Sequence, residues 1–115
     1  MEKIISPNRE REQIQSIIDR RMLAVYGRDE QLIMSFYSPQ VTTFDFSPPL
    51  QNNGLAAVKV RLEKWLASYA GHIHQEVSDV HVEVSGNMAY SYCLTRTYGT
   101  SVNGQEQDMW YRTTT

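Results

Sequence analysis

The residue best suited to acid–base chemistry in this chain is an aspartate between two aromatic side chains. Asp45 lies in the stretch FDFSPPL, Phe44 to Leu50. A carboxylate in a site that does not over-stabilise its charge can take a proton from a carbon next to a carbonyl group and return it. The alternative is a turn residue whose carboxylate accepts hydrogen bonds from the backbone of the following SPPL loop.

A second candidate for ligand chemistry is an arginine in the stretch DMWYRTTT. Burying a guanidinium beneath helices destabilises the fold unless the group contacts a carboxylate, an anionic ligand or water. Arg112 is therefore predicted either to bind a ligand carboxylate in a bidentate manner or to form a structural ion pair, with Asp45 as one partner. Trp110 is a candidate pocket wall, and Trp65 and Tyr37 are candidate substrate contacts. The alternative places both tryptophans in the core.

The histidines and the single cysteine form no recognisable metal-binding pattern. His72, His74 and His81 are few and unaccompanied, and Cys93 has no second cysteine with which to form a disulfide or a thiolate cluster. We expect no metal and no cofactor, and we expect Cys93 to be a small buried side chain.

Composition limits the class of protein. The 115 residues suit one domain spanning 1–115, and 41% hydrophobic with 21% charged residues is typical of a globular chain. The net charge of -2 is spread without a basic stripe, so nucleic acid is not an expected partner. No apolar run reaches the roughly 18 residues that span a bilayer, and the N-terminus MEKIISPNRERE is too polar for a signal peptide. We expect a cytoplasmic protein without membrane contact.

Two helices are predicted before the first strand. Ser6 is a plausible N-cap, Pro7 suits the first helical position, and Gly27 can close this helix in a left-handed turn. Asp29 can cap a second, short helix that ends before Pro39. The apolar residues of the first helix recur on one face: Ile14, Ile17, Ile18, Met22 and Val25.

The rest of the chain predicts one more helix followed by strands. VTTFDF reads as a short strand and SPPLQNNG as a turn-rich loop. A third helix is predicted from Leu55 to Gly71, with apolar residues at helical spacing. VHVEV, MAYSYCLTRTYGT and QDMWYRTTT then predict three strands. This order indicates an α+β fold with an antiparallel meander.

Turn residues predict how the last three strands pair. Gly86-Asn87 and Asn103-Gly104 favour two-residue hairpin loops, because type I′ turns need positive φ at both central positions. Antiparallel register then pairs Val82 with Ser91, Val84 with Ala89, Thr95 with Arg112 and Thr97 with Trp110.

This register assigns the side chains to two faces. The first, which the valines place under helices, would carry Arg112 and Trp110 beside the small residues Ala89, Ser91 and Cys93, and this combination predicts a cavity. The second face is aromatic and polar, a mixture favoured where a sheet meets another subunit, so it predicts a homodimer. Its members would be His81, Glu83, Tyr90, Tyr92, Leu94, Arg96, Tyr98, Met109 and Tyr111.

Four stretches together resemble a known family. FDFSPPL, NNG at the start of the long helix, SGNMAYSYCLTRTYG and DMWYRTTT are similar in order and spacing to the SnoaL-like and ketosteroid-isomerase-like proteins of the nuclear transport factor 2-like superfamily. The resemblance runs from Arg11 onward. It implies a cone-shaped, cystatin-like fold, in which a strongly bent antiparallel sheet wraps around the N-terminal helices, a ligand pocket at the open end, and dimers formed through the sheet.

The resemblance also implies site residues. The general base of ketosteroid isomerases is an aspartate at the end of the first strand, where Asp45 falls. Their oxyanion is held by a first-helix tyrosine and a protonated sheet acid. In this chain the first-helix position that corresponds to the tyrosine lies nearer Arg21 than Tyr26, and no acid of the sheet aligns with the protonated one. The sequence therefore lacks the oxyanion-binding residues of steroid isomerases.

A pattern near the C-terminus resembles one subgroup of this family. Trp110, Arg112 and Thr114 form a W-x-R-x-T pattern similar to that of the association domain of calmodulin-dependent kinase II, whose pocket contains arginine. The pattern implies that Arg112 binds a ligand carboxylate. Members normally continue into a last strand, whereas this sequence stops at Thr115. We therefore expect either an incomplete domain or an open sheet edge that a partner covers.

The sequence leads to two functional hypotheses. One is an isomerase, cyclase or dehydratase that acts on a small carbonyl or carboxylate compound, with Asp45 as base, Arg112 as electrostatic anchor and Trp110 as pocket wall. The alternative is a non-catalytic module of the same fold that binds a small molecule or serves dimerisation and assembly.

Overall fold

The computed structural model describes residues 7–115, which fold as helices followed by an antiparallel meander. This confirms the predicted α+β class. None of the helices in this range is long and apolar enough to cross a membrane. The elements are α1 (Pro7–Tyr26), α2 (Glu30–Met34), β1 (Thr42–Phe44), β2 (Gln51–Asn53), α3 (Gly54–Ala67), β3 (Tyr69–Ser85), β4 (Met88–Ser101) and β5 (Glu106–Thr114).

The strands form two sheets. β1 and β2 make a two-stranded hairpin, and β3, β4 and β5 make a three-stranded antiparallel sheet in that order. Register shifts in β3 between Ala70 and His74 and between Ser78 and His81 bend this sheet. Because α1 packs along β3, the bent sheet curves around the helices, as expected of the cone-shaped fold.

The core lies where the second half of α1, α2 and α3 meet the first residues of β3. Val25, Ile33 and Ile73 are fully buried at its centre. Each such aliphatic side chain stabilises the fold by about 1.5–3 kcal/mol relative to exposure. The surrounding core residues are Ala24, Leu62, Leu66 and Tyr69, with Met34, Tyr37 and Trp65 packed against them.

The end of α1 differs by one residue from the prediction. The left-handed residue is Arg28, with φ of 58°, and not Gly27. The Arg28 amide donates to the Val25 carbonyl at 3.0 Å and the Asp29 amide to the Ala24 carbonyl at 2.9 Å, the two bonds of a Schellman motif. Asp29 then caps α2, as predicted, by accepting a hydrogen bond from a backbone amide of that helix. The predicted N-cap of α1, Ser6, lies outside the described residues.

The Arg28 side chain explains why an arginine occupies this strained position. Its guanidinium donates to the carbonyls of Leu66 at 2.8 Å, Tyr69 at 2.8 Å and Gly71 at 3.0 Å. Left-handed backbone costs a non-glycine residue roughly 1 kcal/mol, and hydrogen bonds from a charged donor contribute about 1.5–3 kcal/mol each. Arg28 therefore fixes the connection from α3 to β3.

Two element boundaries also differ from the prediction. α3 ends at Ala67 rather than Gly71, because Tyr69 already pairs with Ser101 in the sheet. The segment predicted as a loop before α3 contains β2, whose central residue Asn52 pairs with Thr43 of β1. The chain thus turns back on itself between the strands, and this hairpin places Asp45.

The first long hairpin follows its predicted register. Ser85 pairs with Met88 across the two-residue loop, and Gly86 has a φ of 59°, which glycine adopts without strain. The pairs further along this hairpin are those expected, Val82 with Ser91 and Val84 with Ala89.

The second long hairpin is shifted by one residue. The Gly104 amide donates to the Ser101 carbonyl at 2.9 Å, the Ser101 amide donates to the Gln105 carbonyl at 2.8 Å, and Gly104 has a φ of 81°. These features define a three-residue loop, Val102–Gly104, in which a type I turn is followed by a left-handed glycine. The predicted two-residue loop at Asn103-Gly104 is wrong.

This shift exchanges the two faces of β5, because side chains alternate along a strand. Trp110 pairs with Arg96 and Arg112 with Leu94, whereas Tyr111 pairs with Thr95. We call the face that carries the buried Thr95 the inner face and the opposite one the outer face. The prediction that Trp110 and Arg112 lie under the helices is therefore wrong: both are exposed on the outer face, and Tyr111 takes the inner position.

Candidate functional site

Asp45 follows β1 and is held at the base of the loop that closes the first hairpin. Its amide donates to the Leu50 carbonyl at 2.9 Å. Its carboxylate Oδ2 accepts a hydrogen bond from Asn52 Nδ2 at 3.0 Å and lies 3.7 Å from Arg61 Nε. The Asp45 side chain retains 29% of its exposure, so a ligand can reach it. The carboxylate therefore neither caps its own loop nor pairs with Arg112.

Arg61 of α3 fixes this loop in addition to facing Asp45. Its Nη2 donates to the Ser47 hydroxyl at 2.6 Å, with the Ser47 carbonyl at 3.3 Å, and its Nη1 donates to the Pro48 carbonyl at 2.9 Å. Asn52, the other partner of Asp45, is buried. The Asp45 side chain is consequently positioned by two neighbours, one of which also orders the loop.

A second group of polar side chains lies on the inner face of the main sheet. The hydroxyls of Thr97 and Tyr111 are 2.7 Å apart, and Gln75 Nε2 donates to Thr97 at 3.1 Å, with the Tyr111 hydroxyl at 3.5 Å. Two residues further along β4 on the same face, the hydroxyl oxygens of Thr95 and Thr113 are 2.9 Å apart. The inner face is therefore lined with hydroxyls where a purely structural core would be apolar.

The polar row continues to the predicted buried cysteine. Cys93 is buried, and its sulfur lies 3.6 Å from the Thr95 hydroxyl. Ser91 is buried in the same row. Every buried side-chain nitrogen and oxygen among the described residues has a hydrogen-bond partner, so the row carries no unsatisfied group.

Aromatic contacts connect the Asp45 loop, the inner face and the core. The Phe46 ring centroid is 6.2 Å from that of Tyr111, and Trp65 packs edge-on against Tyr69 at 5.7 Å. Burial raises the pKa of the Tyr69 hydroxyl, and the charge of the neighbouring Tyr111 raises it further. The Tyr69 hydroxyl is therefore protonated at neutral pH.

The other predicted substrate contacts lie on the core side of this region. Trp65 and Tyr37 are partly buried and pack against the core. The Tyr37 hydroxyl accepts a hydrogen bond from Arg21 Nη2 at 3.0 Å. Their roles as substrate contacts remain predictions.

Trp110 and Arg112 belong to a different surface. Trp110 is 58% exposed, and the Arg96 guanidinium lies 5.6 Å from its ring centroid. Arg96 also binds Asp108 at 2.8 Å, and this hydrogen bond lowers the pKa of the Asp108 carboxyl. The sheet therefore separates Arg112 from Tyr111, so its predicted place beside the pocket is not observed.

The arginine that does reach Asp45 was not identified from the sequence. Arg61 stands three residues after Val58 and four before Trp65, so it flanks the apolar stripe of α3. That spacing is the signal that could have identified it. Among the described side chains, no three His, Cys, Asp or Glu residues converge as a metal site would require.

Comparison with protein families identifies the family to which this sequence is similar. Residues 14–115 match the model of the SnoaL-like domain. Comparison with curated protein sequences gives no match. An NTF2-like protein of unknown function from Pseudomonas putida KT2440 is 25% identical, with a TM-score of 0.70 over 86% of this chain and 83% of that one.

Two more distant solved structures share the fold. A candidate dehydratase of the NTF2-like family from Streptomyces avermitilis is 18% identical, with a TM-score of 0.81 over 95% of this chain and 85% of its own. A candidate calcium/calmodulin-dependent protein kinase II association domain from Xanthomonas campestris is 15% identical, with a TM-score of 0.76 over 99% of this chain and 81% of that one. At these identities the likeness concerns the fold alone.

Proposed function

This chain belongs to the SnoaL-like domain family, and we propose that it binds a small carbonyl or carboxylate compound against the inner face of its sheet, where Asp45 acts as a general base. The observation that carries this proposal is the hydroxyl network of Tyr111, Thr97 and Gln75 beside the loop of Asp45. The reaction class is an isomerisation, cyclisation or dehydration that begins with removal of a proton from carbon.

Tyr111 supplies the hydrogen-bond donor that such a reaction needs. Gln75 donates to the hydroxyl oxygens of both Thr97 and Tyr111, and the 2.7 Å bond between these two hydroxyls can run in either direction. When Thr97 is its donor, the Tyr111 hydrogen is left for another acceptor. A ligand carbonyl oxygen on the inner face can be that acceptor. When Asp45 takes the proton, the electron pair of the C–H bond moves to the carbonyl oxygen, and the hydrogen bond from Tyr111 stabilises the enolate.

Asp45 is held in place and remains accessible, as a base must be. Asn52 and Arg61 position its carboxylate, and its partial exposure leaves it open to a ligand.

The contacts that hold Asp45 also favour a second candidate, a non-catalytic module that binds the same class of ligand. The specific observation is that Arg61 lies next to Asp45. The same contact is expected if the two residues form an ion pair that only stabilises the fold. The similarity to a kinase association domain is consistent with this role but concerns the fold alone.

A thermal-shift panel of cyclic ketones, 2-oxo acids and small carboxylates tests the binding proposal. A ligand of the folded state raises stability by about 2.7 kcal/mol at one hundred times its Kd. We expect Tyr111→Phe to lose most of the ligand-induced shift, because the ring remains and the donor does not. Arg112→Gln is the matched control on the outer face and should retain it. Loss of the shift in Arg112→Gln with retention in Tyr111→Phe would place the ligand on the wrong face for this proposal.

A further inference from the structure

A groove of about 380 Å³ lies between the second half of α1 and the edge strand β3. The residues of α1 that line it, Asp19, Met22, Leu23 and Tyr26, are spaced by three or four and share one face of the helix. Of the inner-face hydroxyl network, Gln75 alone reaches this groove. The groove is therefore separate from the site proposed for Asp45 and Tyr111.

One wall of the groove is a stack of aromatic rings. Tyr26 lies parallel to His72 at 4.2 Å and edge-on to His74 at 5.2 Å, and His74 lies parallel to Tyr98 at 4.8 Å. A hydrogen-bond contact of 2.9 Å between His72 Nδ1 and the Tyr26 carbonyl holds the first pair together. The wall is consequently preorganised, which lowers the entropy cost of ordering it around a ligand.

The groove also exposes large apolar side chains. Leu23 is 71% and Tyr26 is 41% exposed. The hydroxyls of Tyr26 and Tyr98 make no hydrogen bond to another described residue. A flat apolar molecule in the groove would cover this surface and leave the two hydroxyls as polar contacts.

The carboxylate of Asp19 gives the lining of the groove a negative charge, whereas the Arg96 guanidinium lies 4.5 Å from the ring centroid of Tyr98. Asp19 is the charged residue of the lining, and its Oδ1 accepts a hydrogen bond from Gln15 Nε2 at 3.0 Å, which leaves Oδ2 for a ligand. Next to Tyr98, the cluster of Glu76, Arg96 and Asp108 contains two carboxylates and one guanidinium, a sum of -1. Arg96 is bound to both carboxylates, so its charge is compensated locally.

We propose that this groove binds a small organic cation, an amine or ammonium compound with a flat apolar body. Its cationic group pairs with Asp19, and its body lies against the rings of Tyr26 and His74. Aromatic rings attract cations through their electron-rich faces, and a carboxylate adds charge complementarity. The volume falls in the range of small-molecule sites, which begins at about 300 Å³.

Three isosteric probes test this proposal: phenethylamine as the cation, 2-phenylethanol as the neutral compound and phenylacetate as the anion. Binding is measured by calorimetry and by amide chemical-shift changes in the protein. We expect phenethylamine to bind more tightly than both other probes, with shift changes at residues 19–26 and 74. Higher ionic strength should weaken its binding, because the pair with Asp19 is exposed to solvent.

Variants locate the binding site. Asp19→Asn should weaken phenethylamine binding about fivefold, the size of an exposed ion pair. Tyr26→Leu, which keeps an apolar side chain, should weaken it by a similar factor. If Tyr26→Leu does not fold, Asp19→Asn, which changes an exposed residue of α1, still tests whether the groove binds phenethylamine.

Asp45→Asn and Tyr111→Phe are the matched controls and should bind phenethylamine as the wild type does. Equal binding of phenylacetate, no effect of Asp19→Asn, or loss of binding in Tyr111→Phe would each overturn the proposal.

Discussion

At the scale of single residues, the candidate site depends on how one carboxylate is held. Asp45 was identified from its neighbours in sequence, because an acid between two phenylalanines at a strand end is unusual. Its partners Asn52 and Arg61 come from β2 and α3 and could not be identified in the same way. The spacing of Arg61 beside the apolar stripe of α3 makes it one candidate among several charged residues of that helix. Its contacts were needed to show that it is the one that turns toward the loop.

Arg61 has a role that a lysine cannot replace. Its forked guanidinium contacts two residues of the loop and Asp45 at once, whereas an ammonium group cannot span these acceptors. We expect Arg61→Lys to lower the free energy of unfolding by about 1 kcal/mol, since the side chain is about one-quarter exposed and solvent weakens these bonds. Urea denaturation measures this change.

The same substitution should reduce ligand binding in the thermal-shift panel, because the loop that carries Asp45 loses its anchor. Lys59→Gln and Lys64→Gln, on the same helix, are the controls and should change neither quantity. An Arg61→Lys variant with wild-type stability and binding would show that the fork does not position the loop.

At the scale of elements, most of the fold followed from patterns, whereas β2, the first residues of β3 and one register did not. Helical spacing predicted all three helices, and the alternation along β3 and β4 predicted which residues share a face. The Val102–Gly104 loop could not be predicted, because Asn-Gly suits both a two-residue loop and the end of a three-residue loop. That difference of one residue moved Trp110 and Arg112 outward and Tyr111 inward.

The junction of α1, α3 and β3 offers a prediction about element packing. Arg28→Gly relieves the left-handed backbone but removes three hydrogen bonds to carbonyls. Glycine gains roughly 1 kcal/mol. The guanidinium is only partly buried, so solvent reduces the contribution of the three lost bonds to about 2–4 kcal/mol in total, and we expect a net destabilisation of about 1–3 kcal/mol. Thermal unfolding should show a lower Tm by several degrees.

Arg28→Lys separates the two effects in this junction. It keeps the left-handed cost and supplies fewer donors, so it should be destabilised relative to the wild type but less than Arg28→Gly, which has no donor at all. A more stable Arg28→Gly protein would mean that backbone strain, and not the guanidinium, dominates this position.

At the scale of the whole molecule, the shape leaves a large surface open. The chain measures 59 × 27 × 23 Å, and its radius of gyration of 15.6 Å exceeds the roughly 13 Å of a compact chain of this length. The projecting hairpin of β3 and β4 exposes Tyr90 and Tyr92 on the outer face, and the neighbouring strand β5 exposes Trp110. We propose that this part of the outer face forms a homodimer, since aromatic residues and arginine are enriched in interfaces.

Sedimentation velocity at two protein concentrations tests the homodimer. We expect a concentration-dependent dimer for the wild type and a monomer for Tyr92→Glu or Trp110→Glu, because a buried unpaired carboxylate opposes association. Val60→Glu, on the exposed side of α3, is the matched control and should dimerise normally. A wild-type monomer at high concentration, or a Trp110→Glu dimer of undiminished affinity, would contradict the interface.

The central claim is that the inner face binds a carbonyl compound and that Asp45 exchanges a proton with it. The most direct measurement is hydrogen–deuterium exchange at the α-carbon of cyclic ketones and 2-oxo acids in D2O, followed by NMR. We predict wild-type exchange above the buffer rate, a loss of about a hundredfold or more in Asp45→Asn and a loss of about a hundredfold in Tyr111→Phe, with Arg112→Gln unchanged. Exchange in Asp45→Asn at the wild-type rate, or no wild-type exchange of a ligand that binds, would contradict the claim.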